Sequence, residues 1–134
     1  MQISSKQAHA ILDAAVARSR ELGVASNIAV MDAGAHLKAF SGMDGALLGT
    51  IDLALKKART AALFGKNTEV LGELCKPGGP FPGLDLSNGG LVIFTGGIPI
   101  VSADGILIGA VGVSGGDTAQ DLDIAQKAAA AGRI

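Results

Sequence analysis

Apolar positions recur along this chain with two distinct periods. In SSKQAHAILDAAVARSRELG, Ala8, Ile11, Leu12, Ala15, Val16 and Leu22 fall at helical spacing and form one apolar stripe. Ser4 and Gln7 stand at the spacing of a capping box, and Gly23 is a natural stop. Two short strands, NIAVMD and HLKAFS, follow. Asp32-Ala33-Gly34-Ala35 is read as the hairpin turn between them. GMDGALLGTIDLALKKARTAALFG then begins as a loop and turns into a second helix. Thr50 is the expected N-cap, Asp52 suits the positive end of the helix dipole, and Gly65 ends the helix. Ile51, Ala54, Leu55, Ala58, Ala61 and Ala62 line one of its faces.

NTEVLGELC is expected to form a short third helix capped by Asn67 or Thr68. Residues 76–90, KPGGPFPGLDLSNGG, hold too many prolines and glycines for regular structure. LVIFT, IPIVS and ILIGAVGV read as three strands of an antiparallel meander. Pro99 belongs at a strand start or on an edge, because it has no backbone N–H to donate. DTAQDLDIAQKAAAAG is the final helix. The order α-β-β-α-α-β-β-β-α is not alternating βαβ. It predicts an α/β chain of the α+β kind, with a five-stranded antiparallel sheet flanked by helices, in a single domain over residues 1–134.

Composition adds a prediction about assembly. Hydrophobic residues make up 49% and charged residues 17%, with a mean hydropathy of +0.44. So little charge poorly covers a monomer surface, and a homo-oligomer is expected. With a net charge of −1 and 3% aromatics, the chain has neither a basic stripe nor a stacking platform, so no nucleic-acid partner is expected. No apolar run is long enough to span a bilayer, so no membrane partner is expected. The opening residues lack the charge and apolar pattern of a signal peptide. With a lone Cys75, this points to the cytoplasm.

The glycine-rich stretch GAVGVSGGDTAQD, residues 109–121, invites comparison with a phosphate cradle. Its glycines do not have G-x-G-x-x-G spacing, and no P-loop Lys-Ser or Lys-Thr follows. Asp117 and Gln120 form a second capping box, which would occupy the N–H groups that a phosphate needs. A tight strand-to-helix turn is the better reading.

Five blocks carry a resemblance: NIAVMDAGAHL; MDGA at residues 43–46; KARTAALFG; GGIPIV; and DGILIGAVGVSGGDTAQD. In this order they resemble the GlcG/HbpS family, the small domains labelled haem-degrading or haem-binding. The resemblance covers nearly the whole chain. It implies a profilin-like fold and dimers that build into tetramers or octamers. Functionally it implies a small-molecule-binding protein, with haem or a related flat or acidic molecule as ligand. Two departures stand out. Family members often carry Arg before MDGA, where this chain has Ser41-Gly42, and secreted haem-binding members carry an export signal.

The ligand-binding residues expected from these blocks are Asp32, Met43, Asp44, Lys57, Thr60, Gly96 and Gly97. If the protein is an enzyme, it would act on an oxygenated metabolite of the hydroxy-acid type. Asp44 and Lys57 would then serve as acid/base and anion holder. For haem, the axial candidates are His9 and His36, with Asp13 placed to orient His9; Met31, Met43 and Cys75 are weaker. No paired ligand spacing appears, so no dedicated metal site is expected. Ser114 has no histidine after it, and a serine triad is not expected.

Overall fold

A computed structural model describes residues 2–132. Helix α1 spans Ser5–Leu22 and begins with the expected box: the Ser4 side chain accepts from the Gln7 N–H, and the Gln7 side chain accepts from Ser4 N–H. Gly23 ends it in the left-handed conformation. The chain continues through β1 (Asn27–Asp32), β2 (Leu37–Gly42), α2 (Gly49–Phe64) and α3 (Thr68–Cys75). A single 3-10 turn (Leu84–Leu86) follows, then β3 (Gly97–Val101), β4 (Leu107–Ser114) and α4 (Thr118–Ala131).

The four strands form one antiparallel sheet in the order β2-β1-β4-β3. One sheet face packs on α1 and α4. There Ile28, Val30, Ile100, Val111 and Val113 meet Ile11, Leu12, Ala15, Ile124 and Ala128. The other face packs on α2, where Ala29, Met31 and Ala110 meet Ala54, Ala58, Ala61 and Ala62. Small residues on both sides bring α2 very close to the sheet. A Cβ on Gly112 of β4 would overlap the backbone of Ala54 and Ala58. The alanine face of α2 is therefore buried within the subunit and is not available to a partner.

Four strands stand where five were expected. Residues 91–95, LVIFT, are not a strand. Two of their backbone groups bond to threonine side chains instead: Val92 N–H donates to Thr60 Oγ1 at 3.2 Å, and Thr68 Oγ1 donates to Phe94 O at 2.7 Å. The chain bends at Phe94 and Thr95 and enters β3 through Gly96, with φ of 129°, so no strand hairpin precedes β3. Pro99 lies in an edge strand, as its missing donor requires. The cap of α2 also differs from expectation. The helix starts one residue before Thr50, whose hydroxyl donates to Leu47 O at 2.5 Å. Asn67 is the N-cap of α3 but makes no capping bond with its side chain.

Candidate functional site

The α2 face that meets the sheet carries one charge, Lys57. Its Nζ donates to Val113 O at 2.8 Å and pairs with Asp121 Oδ2 at 3.2 Å. The two side chains are only 3% and 7% exposed. Asp121 comes from the first turn of α4, and its Oδ1 accepts from Gly116 N–H at 2.9 Å. Burial pushes the Lys57 ammonium below its ordinary pKa, while Asp121 pulls it back up. Burial raises the Asp121 carboxyl, and the Gly116 bond and Lys57 oppose that. The two affinities for a proton thus approach one another. Gly96 passes against this pair, and a Cβ there would stand 3.0 Å from Lys57 Nζ.

The pair forms the floor of a cleft of about 270 Å³, lined also by Thr50, Phe94, Thr95, Ser114, Gly115 and Thr118. The Gly115-Gly116 turn is thus a wall of this cleft as well as the strand-to-helix connection. Asp117 and Gln120 cap α4 reciprocally and engage its first free N–H groups.

The other expected site residues are dispersed. Asp44 and Met43 line a different cleft of about 330 Å³ with Arg20, Ser41 and Gly42, so Asp44 and Lys57 do not share a site. Thr60 is buried and holds Val92, as described above. Gly97 packs under Lys57 and Thr68, where a side chain would collide with the Lys57 carbonyl. Asp32 holds the β1–β2 hairpin: its Oδ1 accepts from Gly34 N–H and His36 N–H, each at 2.9 Å. The His36 backbone bond is the main cause that lowers the Asp32 pKa below its ordinary value. Its Oδ2 lies 3.3 Å from His36 Nδ1 on an exposed ring. His9 is exposed on α1, and its Nδ1 bonds to Ser5 O at 2.8 Å rather than to Asp13.

Reading residues alone missed Asp121. A signal was present, since α4 buries Asp121, Ile124, Ala125 and Ala128, and so one acid sits in its apolar stripe.

Fold and clefts together define a small α+β domain with helices on both sheet faces. A family model described as "Haem degrading protein HbpS-like" matches residues 3–130. The chain belongs to this family, the GlcG/HbpS family. It is 39% identical over 129 residues to the corrinoid adenosyltransferase PduO of Salmonella typhimurium. That match covers 96% of the chain but 38% of PduO, so the chain spans less than two-fifths of that relative. It is also 39% identical over 113 residues to protein GlcG of Escherichia coli K12, covering 84% of the chain and 81% of GlcG. A solved structure, the PduOC:heme complex, is similar with a TM-score of 0.91 and 39% identity, covering 98% of this chain and 95% of the other.

Proposed function

We propose that this protein is a haem-binding domain that works as a symmetric oligomer. The observation that carries the reading is the 39% identity, over 98% of the chain, to a protein solved with haem. The residues present fit an iron ligand. His9 and His36 each bond through Nδ1, to Ser5 O and to Asp32 respectively, which favours a proton on Nδ1 and leaves Nε2 free to bind iron. His9 is the stronger candidate, because a helix holds its ring more rigidly than a hairpin tip does. Both rings are exposed. A flat ligand on either would have one face uncovered by this subunit, and a second copy is the natural cover. Bound haem would supply an iron able to take oxygen or change oxidation state. The chain's own part is to donate the imidazole and exclude water.

Titration with haemin, followed by absorbance, tests this. The expected result is a saturable Soret shift, weakened about tenfold or more by His9→Ala and less by His36→Ala. No shift in the unaltered protein would overturn haem binding. A shift that survives loss of both histidines would overturn the axial-histidine assignment.

A further inference from the structure

The cleft over Lys57 and Asp121 is not used by the haem reading, and its chemistry is distinct. Among the described residues these two are the only charged ones lining it, and their charges cancel. Lys57 has three N–H groups to donate and two protein partners, so one remains for a ligand. Ser114 also lines the cleft. It brings a hydroxyl to the cleft. A hydroxyl can both donate to and accept from a ligand atom. Thr95 and Thr118 add hydroxyls to the walls.

Apart from Thr50, whose hydroxyl is engaged by Asn27 and Leu47 O, and the Gly115-Gly116 turn, the remaining lining is apolar. Leu47, Leu53 and Phe94 stand on the walls, with Leu47 71% and Phe94 61% exposed. The volume of about 270 Å³ is at or below the lower end for small-molecule pockets, so the ligand has few heavy atoms. A carboxylate or phosphate would meet the Asp121 carboxylate, and the Lys57 charge that would attract it is already neutralised.

We propose that this cleft is a second ligand site, taking a small uncharged oxygenated molecule such as a short hydroxy-ketone, aldehyde or diol. One ligand oxygen accepts from the Lys57 ammonium, and a ligand hydroxyl pairs with Ser114. The short carbon chain lies against Leu47, Leu53 and Phe94. Asp121 keeps Lys57 in place through the pair and is itself held by Gly116, so the donor is fixed before the ligand arrives.

Hydroxyacetone serves as an uncharged probe and lactate as its anionic counterpart, each titrated into the full, haem-free, 15N-labelled chain. Backbone amide shifts are then read at Thr95, Ser114, Gly115 and Gly116. The expected result is a saturable shift confined to those amides with hydroxyacetone and none with lactate. Ser114→Ala should weaken the hydroxyacetone response about fivefold, the loss of one hydrogen bond to an uncharged partner. Lys57→Met should abolish it. If that variant unfolds, Ser114→Ala carries the test alone, because it removes a single hydroxyl. No saturable shift, an unchanged affinity in Ser114→Ala, or lactate binding as tightly as hydroxyacetone would each overturn the proposal. Absorbance with haemin reads the haem site separately, so the two readings fail independently.

Discussion

Lys57 attracts notice in the sequence as the first residue of the KARTAALFG block, but the residue that answers it was not legible. Asp44 is nearer in sequence and belongs to a familiar block, yet it faces another cleft. Asp121 looks like an ordinary acid in a first helical turn, and only the packing of α4 against β4 turns it inward. The useful signal is a charge on each of two inward stripes, opposite in sign. A buried pair of this kind costs more to break than to replace. Lys57→Met should therefore destabilise the fold by about 3–5 kcal/mol, because Asp121 is left buried and unpaired. Lys57→Met with Asp121→Leu should recover most of that loss. Urea denaturation of the three proteins measures both, and a double variant no better than the single would refute the account. Asp32 gives the pH dependence. Its pKa is lowered on folding, so its stabilising effect is present above its ordinary value of 3.8 and is lost as pH falls through the lower folded value. Asp32→Ala should cost about 1–2 kcal/mol at neutral pH, and the gap to the parent should narrow in acid. A gap that stays constant down to low pH would count against the carboxylate.

At the scale of elements, capping boxes and apolar periodicity made the helices readable. Ser4 with Gln7 and Asp117 with Gln120 both form as their spacing requires. LVIFT was misread because a β-branched apolar run says only that a segment is buried in part. What decides strand pairing is the availability of a neighbouring edge, and here the partners are hydroxyls on helices α2 and α3. The threonines responsible, Thr60 and Thr68, have no local pattern that announces such a role. The approach of α2 to β4 is the tightest helix–sheet contact described. Gly112→Ala would force the helix outward, and a loss of about 1–3 kcal/mol is expected from overpacking. A thermal melt reads this, and an unchanged midpoint would show that the helix can shift freely.

For the whole molecule, the composition pointed to self-association, and the surface gives that expectation a place. Leu47, Leu48, Phe81, Leu86 and Phe94 are all more than half exposed. Arg59 of α2 donates to Asn88 O at 2.9 Å, which ties the loop of residues 76–90 to the outer side of that helix. The alanine face of α2 is internal, so the loop and the start of α2 carry the prediction. Light scattering should give a mass at least twice the 13.3 kDa of one chain. Phe81→Asp should lower that mass, with Leu48→Asp as a second probe of the same side. A monomeric parent would end the idea, and an oligomer indifferent to both changes would move the contact elsewhere.

Pro99 limits how such copies can join through their sheets. The outer edge of β3 is missing a donor at that residue, whereas β2 on the far side of the sheet keeps an N–H at every position. Strand addition is thus open on one side and impaired on the other. Two copies that met β2 to β2 would make one continuous eight-stranded sheet, ending at both margins in a proline-bearing strand. Further strand addition to such a sheet is impaired at both margins, which works against edge-to-edge fibre growth when folded copies are crowded.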